Sequence, residues 1–178
     1  MLIDSDSSTL VLIDLQRHLI PAIHQNEAVV KQSVKISEIA KLLEIPIIGT
    51  LQSPNKIGPH IDEVEKYCDK TLHKEHFNAC RDGLIGILPL DRPEIILAGC
   101  ETHICVLQTA LGLLDADYSV TVIIDAVGSR NEGDKNAALT RLEKSGAVLT
   151  TTEMLAYEWL NSSNGPLFKE ALEIIKAH

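Results

Sequence analysis

Aromatic residues are scarce: one Trp, three Tyr and two Phe make up 3% of the 178 residues. That excludes an aromatic core, so the interior has to be built from Leu, Ile, Val and Ala. Positive charge is also in deficit. Sixteen Lys and Arg face 25 Asp and Glu, a formal net charge of -9. The average field repels phosphate backbones and anionic lipid, so neither nucleic acid nor a membrane surface is expected as the main partner. No apolar run reaches the roughly 20 residues that span a bilayer. The opening MLIDSDSSTLVLID carries acids where a secretory signal carries lysine or arginine, so the expected location is the cytoplasm. There are only four cysteines. In a reducing compartment these are free thiols and not a disulfide framework.

Hydrophobic residues make up 45%, as in a packed domain and unlike a disordered chain. The length suits one domain, residues 1–178, with a full-sized core. No repeat, low-complexity tract or dividing linker is visible, and NSSNGP at 161–166 merely separates the last two helices.

Short apolar runs alternate with helical patterns. TLVLIDL (9–15), IPIIGTL (45–51), EIILA (94–98), SVTVIID (119–125) and AVLT (147–150) have strand length and are apolar nearly throughout, as in strands buried on both faces. Residues 71–74 make a further short strand. Helical spacing marks 26–43, with Asn26 as the cap, then 61–67, 77–87 and 102–114, with Thr102 as the cap. It continues over 134–145, which Gly146 stops, 152–160 and 167–176. SPNKIGP at 53–59 reads as a loop. This order predicts an α/β fold: three layers, α/β/α, around a mostly parallel central sheet of Rossmann-like topology.

Ligands of such sheets bind beyond the carboxyl ends of the strands. Asp14, Gln52, Lys74, the Gly99–Cys105 stretch and Asp125 all fall there. A carboxylate, an ammonium and a thiol from separate segments are thus directed to one edge.

The stretch GCETHICVLQTALGLL holds two of the four cysteines. Cys105 lies in the first turn of the helix beginning near Thr102, where unpaired N–H groups and the helix dipole favour a thiolate. It reads either as a nucleophile or as a small buried hydrophobe. Cys100, Cys68 and Cys80 read as structural. Zinc ligation by Cys100, His103 and Cys105 does not fit the usual spacings. Two residues apart on a helix, His103 and Cys105 point in different directions, so His103 lines a pocket or faces outward. An aspartate ending a buried strand needs a partner. Lys74 can supply one, and Asp14 could then exchange the thiol proton. Asp125 braces the neighbouring loop.

The motifs VLIDLQ, GTLQSPNKIGP, KEHFNA, AGCETHICVLQTALGLLDADYSVTVIIDAVGSR and SGAVLTTTEMLAYEWL, in this order, resemble the isochorismatase-like cysteine hydrolase superfamily, especially its small single-domain members. The resemblance runs from about Leu10 to Ile175. It implies a catalytic triad of Asp14, Lys74 and Cys105. It also implies a cis peptide between Cys100 and Glu101 and an oxyanion hole from the N–H groups of Glu101 and Cys105. Nicotinamidases of the superfamily carry an Asp-x-His metal motif where this chain reads LQSPNKIGPHID, so no metal and no cofactor are expected. True isochorismatases lack the cysteine.

The expected function is therefore hydrolysis of a small molecule at an amide-type C–N bond through a cysteine thioester, with Gln52 and His103 binding the substrate. The alternatives are an isochorismatase-type vinyl-ether hydrolase and a non-catalytic interaction protein. The family implies a homo-oligomer, dimer or tetramer.

Overall fold

In the computed structural model, which describes residues 2–177, the first apolar run becomes strand β1 (Ser8–Ile13), with every residue buried. Helix α1 (Asn26–Leu42) follows. Gln25, in the left-handed region, holds its N-cap position without a side-chain bond, so Asn26 is the first helical residue and not the cap. Strand β2 (Ile47–Gln52) leads into the SPNKIGP segment. That segment is not wholly loop: Pro54 starts a single-turn helix, α2 (Pro54–Ile57), as proline at a first helical position favours. A second single turn, α3 (Asp62–Glu65), precedes β3 (Lys70–Lys74).

No continuous helix fills 77–87. A 3-10 turn at Ala79–Asp82, capped by the Asn78 side chain, ends at Gly83 with φ 100°, and the turn α4 (Leu84–Ile87) starts afresh. The left-handed glycine breaks the helical path. Strand β4 (Glu94–Cys100) runs into a π-helical turn at Thr102–Val106, continued by α5 (Leu107–Leu114). Thr102 is not a cap: its buried hydroxyl has no hydrogen-bond partner. Strand β5 (Ser119–Gly128) is longer than its apolar run. Asp125 therefore lies inside it and accepts bonds from the backbone N and Oγ1 of Thr152 at 2.9 and 3.0 Å, which anchors the next helix start. Helix α6 (Glu132–Lys144) ends at Gly146, φ 100°. Strand β6 (Val148–Thr150), α7 (Thr152–Leu160) and α8 (Phe168–Ala177) complete the chain.

The six strands form one sheet in the order β3-β2-β1-β4-β5-β6, with every ladder parallel. Alternation along β1 explains its all-apolar character. Leu10 and Leu12 pack with Ile36 and Ile39 of α1 and Trp159 of α7, whereas Val11 and Ile13 pack with Val106, Ala110 and Leu113. Each such buried aliphatic side chain contributes about 1.5–3 kcal/mol.

The strand order reverses between β1 and β4, the place where a crevice opens in a doubly wound sheet. Here β4 carries Gly99 opposite Ile13, at φ 116°, beside a register shift between Leu97 and Gly99. A Cβ at Gly99 would lie 2.0 Å from the Ile13 carbonyl oxygen. Backbone of a central strand cannot yield that far. Gly99→Ala is expected to cost more than about 3 kcal/mol. A urea-unfolding midpoint within error of wild type would contradict this account of the junction.

Candidate active site

Asp14 follows β1 with φ 48°, a conformation aspartate tolerates better than most residues. Its carboxylate is fully buried and doubly engaged. Thr50 Oγ1 donates to Oδ1 at 2.6 Å, and Lys74 Nζ lies 2.7 Å from Oδ2. Both side chains of that ion pair are 0% exposed. Lys74 comes from the end of β3, two strands away from β1, so this short strand is what delivers the ammonium. Nζ also donates to Gln52 Oε1 at 2.6 Å and reaches the His76 carbonyl at 3.5 Å. A buried charge pair is stable only with its remaining bonds supplied in this way.

Gln52 is itself held. Its backbone N bonds Gln16 Oε1 at 2.9 Å, Gln16 Nε2 bonds the Gln52 carbonyl at 3.0 Å, and Gln52 Nε2 donates to the Glu75 carbonyl at 2.8 Å. The amide oxygen therefore faces inward, where Cys105 Sγ donates to it at 3.8 Å.

Cys105 is 6% exposed, in the π-helical turn after β4. Burial pushes its thiol up to about 12; Asp14 adds to the rise and Lys74 opposes it. This corrects the thiolate expected from a helix terminus. The desolvation of a nearly closed site outweighs the dipole of the turn, so the resting group is a neutral thiol. Cys100 is fully buried in the other core layer, with its thiol driven well above its ordinary range by desolvation.

A cavity of about 90 Å³ opens on this cluster. Asp14, Gln52, Glu101 and Cys105 supply its polar wall, and Leu19, Ile57, Phe77 and Ile104 its apolar wall. The Cys100–Glu101 peptide is cis. The Glu101 carboxylate accepts from Arg130 N and Nε at 3.1 and 3.0 Å.

His103 does not line this cavity. Its Nδ1 meets Ser129 Oγ at 2.9 Å beyond β5, because the turn that aims Cys105 inward aims residue 103 elsewhere. Cys100, His103 and Cys105 thus face three different environments, and among the described residues no group of three or more His, Cys, Asp or Glu could hold a metal ion. A larger void of about 390 Å³, beside His24, Asp125, Ser129 and Lys135, contains neither the thiol nor the Asp14–Lys74 pair. The thiol and the Asp14 carboxylate meet at the smaller cavity.

Sequence reasoning missed Thr50, Gln16 and the four apolar wall residues. Thr50 and Gln16 were discernible as polar residues flanking buried runs. Leu19, Ile57, Phe77 and Ile104 carry no such signal.

The isochorismatase domain description matches residues 8–154. Isochorismatase domain-containing protein 2A of Mus musculus is 36% identical over 174 residues, covering 96% of this chain and 84% of the mouse protein. The secreted isochorismatase effector Isc1 of Phytophthora sojae is 32% identical over 180 residues, covering 97% of this chain and 86% of the effector. A solved MAR1 ribonuclease from Caenorhabditis elegans superposes with a TM-score of 0.90 at 31% identity, covering 99% of this chain and 93% of that one. With the domain matched over most of its length and such relatives spanning nearly all of it, the chain belongs to the isochorismatase family of hydrolases.

Proposed function

We propose that this protein is a cysteine hydrolase of small amide-type substrates, with Asp14, Lys74 and Cys105 as its catalytic residues. One observation carries the reading: the fully buried Asp14–Lys74 pair, 2.7 Å apart, presents Asp14 to the same small cavity that Cys105 lines. A carboxylate and an ammonium buried beside a thiol form a proton-transfer device.

The resting thiol is neutral, so proton removal accompanies attack. Asp14 accepts the Cys105 proton as sulfur bonds to the acyl carbon. Lys74 stays charged and favours the anion that develops. The backbone N–H groups of Glu101 and Cys105 are the proposed oxyanion donors. The C–N bond breaks, and the amine leaves with the proton held by Asp14. Asp14 then takes a proton from water, which attacks the thioester. The acid departs and the thiol is restored. Gln52 holds the thiol and the ammonium in register. His103, turned to Ser129, is not assigned to substrate.

The nematode structure is called a ribonuclease. RNA is not adopted as the substrate here, because the net charge is -9 and both charged residues lining the cavity, Asp14 and Glu101, are acids. The same reading treats residues 1–178 as one domain and places it in the cytoplasm, where four unpaired thiols persist. The relative from Phytophthora is named a secreted protein. Among the described residues no helix is long and apolar enough to cross a membrane. Exposed Val148, Met154 and Tyr157 support assembly into a homo-oligomer.

The test is a panel of small amides, with ammonia release and peptide-resolved mass spectrometry read together. An acyl adduct on the Cys105 peptide, discharged by hydroxylamine, is expected for any amide that turns over. Turnover with no adduct, retained in Cys105→Ala, would replace this reading with the thiol-independent vinyl-ether type of chemistry.

A further inference from the structure

We infer that the thiol cavity is built for the uncharged acyl end of a short aliphatic amide and rejects carboxylate- or phosphate-bearing substrates. The inference rests on Cys105 being the nucleophile, and it follows from counting every charge and side-chain donor that a ligand would meet.

Lys74 has no donor left for a ligand. Its side chain is 0% exposed, and its ammonium already serves Asp14, Gln52 Oε1 and the His76 carbonyl. Gln52 Nε2 is engaged by the Glu75 carbonyl at 2.8 Å and Ser53 Oγ at 3.4 Å. Among the described residues no other lining side chain carries a nitrogen. The charges on the lining are those of Asp14 and Glu101, both negative. Arg130, which pairs with Glu101, holds that carboxylate from a position 58% exposed to solvent and does not line the cavity. The remaining wall is hydrocarbon from Leu19, Ile57, Phe77 and Ile104.

An entering anion would be stripped of water and would find no free cation to pair with, because Lys74 and Arg130 are already held by Asp14 and Glu101. An alkyl chain would find apolar contact with Leu19, Ile57, Phe77 and Ile104. The space of about 90 Å³ beside the thiol suits a short chain around the scissile bond.

The reaction balance is that of the proposed cycle: the acyl C–N bond breaks, sulfur and then water oxygen take its place, and the amine leaves with one proton. The only co-reactant is water.

The experiment compares two alkylating agents of nearly equal size, neutral iodoacetamide and anionic iodoacetate. Labelling of Cys105 is followed peptide by peptide in the folded protein at pH 9, and each rate is divided by that for free glutathione. The iodoacetamide-to-iodoacetate ratio at Cys105 is expected to exceed the glutathione ratio by about 50-fold or more. Phe77→Arg places a cation at the cavity wall on a residue already 49% exposed, and is expected to bring that ratio down at least about tenfold. In turnover, butyramide and pentanamide should release ammonia, while succinamate and glutaramate should not. A normalised ratio near one, or turnover of the carboxylate-bearing amides, overturns the charge selection while leaving the nucleophile intact. Failure of Cys105 to react with either agent, although it labels in urea, instead overturns the nucleophile reading and this inference with it.

Discussion

Cys105→Ala is expected to lower kcat/KM on any amide substrate by about 10⁴-fold or more, because the remaining groups can polarise a carbonyl but cannot form the thioester. The fold should survive. Sγ packs in a site only 6% exposed beside Ile104 and Val106, and its loss is about a methyl-sized deletion, at a cost of about 1 kcal/mol. The substitution has a second signature in the pH dependence of stability. The folded state holds the thiol proton to about 12, against an ordinary value of 9.0. The folded protein therefore binds more protons than the unfolded chain across that window. This contribution is fully present below pH 9 and is lost as pH rises toward 12. Removing the thiol deletes the contribution, so the alkaline decline in stability should be shallower in Cys105→Ala. Part of the decline should remain, because burial also raises Cys68 and Cys80 to about 11. Urea unfolding at pH 8 and pH 10.5 measures the difference. An unchanged slope would show that the thiol is not desolvated as its surroundings indicate.

Lys74→Met is expected to destabilise the protein by about 3–5 kcal/mol, the largest stability effect of any side-chain truncation at this site. The reason is the carboxylate left behind. Asp14 is 0% exposed, and Thr50 Oγ1 at 2.6 Å offers a single neutral donor in place of an ammonium. The matching double variant separates this cost from lost packing. Position 14 sits at φ 48°, where leucine or valine would be strained, so asparagine is the suitable neutral partner. Asp14→Asn with Lys74→Met removes both charges and keeps the shape. It should recover at least half of the loss, which a double-mutant cycle in urea would read as strong coupling. A single variant that loses less than about 1 kcal/mol would mean that Asp14 is not an ion in the folded protein, and the proposed base would have to be sought elsewhere. The thiol supplies an independent readout. Lys74 lowers the proton affinity of Cys105, so alkylation in Lys74→Met should begin only at higher pH than in wild type.

Gln52 shows how far the linear pattern reaches into this site. Its position past an apolar run marked it as a residue of the sheet edge. Its role follows from Gln16 and from the consecutive Lys74 and Glu75, which arrive from two other places in the chain and orient its amide oxygen toward the thiol. The first turn after β4 shows the opposite outcome. Position alone suggested a helix-terminal thiolate at Cys105 and a pocket role for His103. Packing instead made the turn π-helical, left the thiol protonated and sent His103 to Ser129.

By itself, the sequence determined the alternation of buried strands with helices, and thereby the sheet edge at which Asp14, Lys74 and the stretch from Gly99 to Cys105 emerge. Those are consequences of hydrophobic period and strand length, which are local properties. Only the tertiary structure decided which of the side chains meet, that the lone ammonium is wholly engaged by its neighbours and that the cavity offers hydrocarbon and acid but no cation. Hydrogen-bond partners, desolvation and enclosed volume depend on groups distant in the chain, and no residue carries them before the strands are brought together.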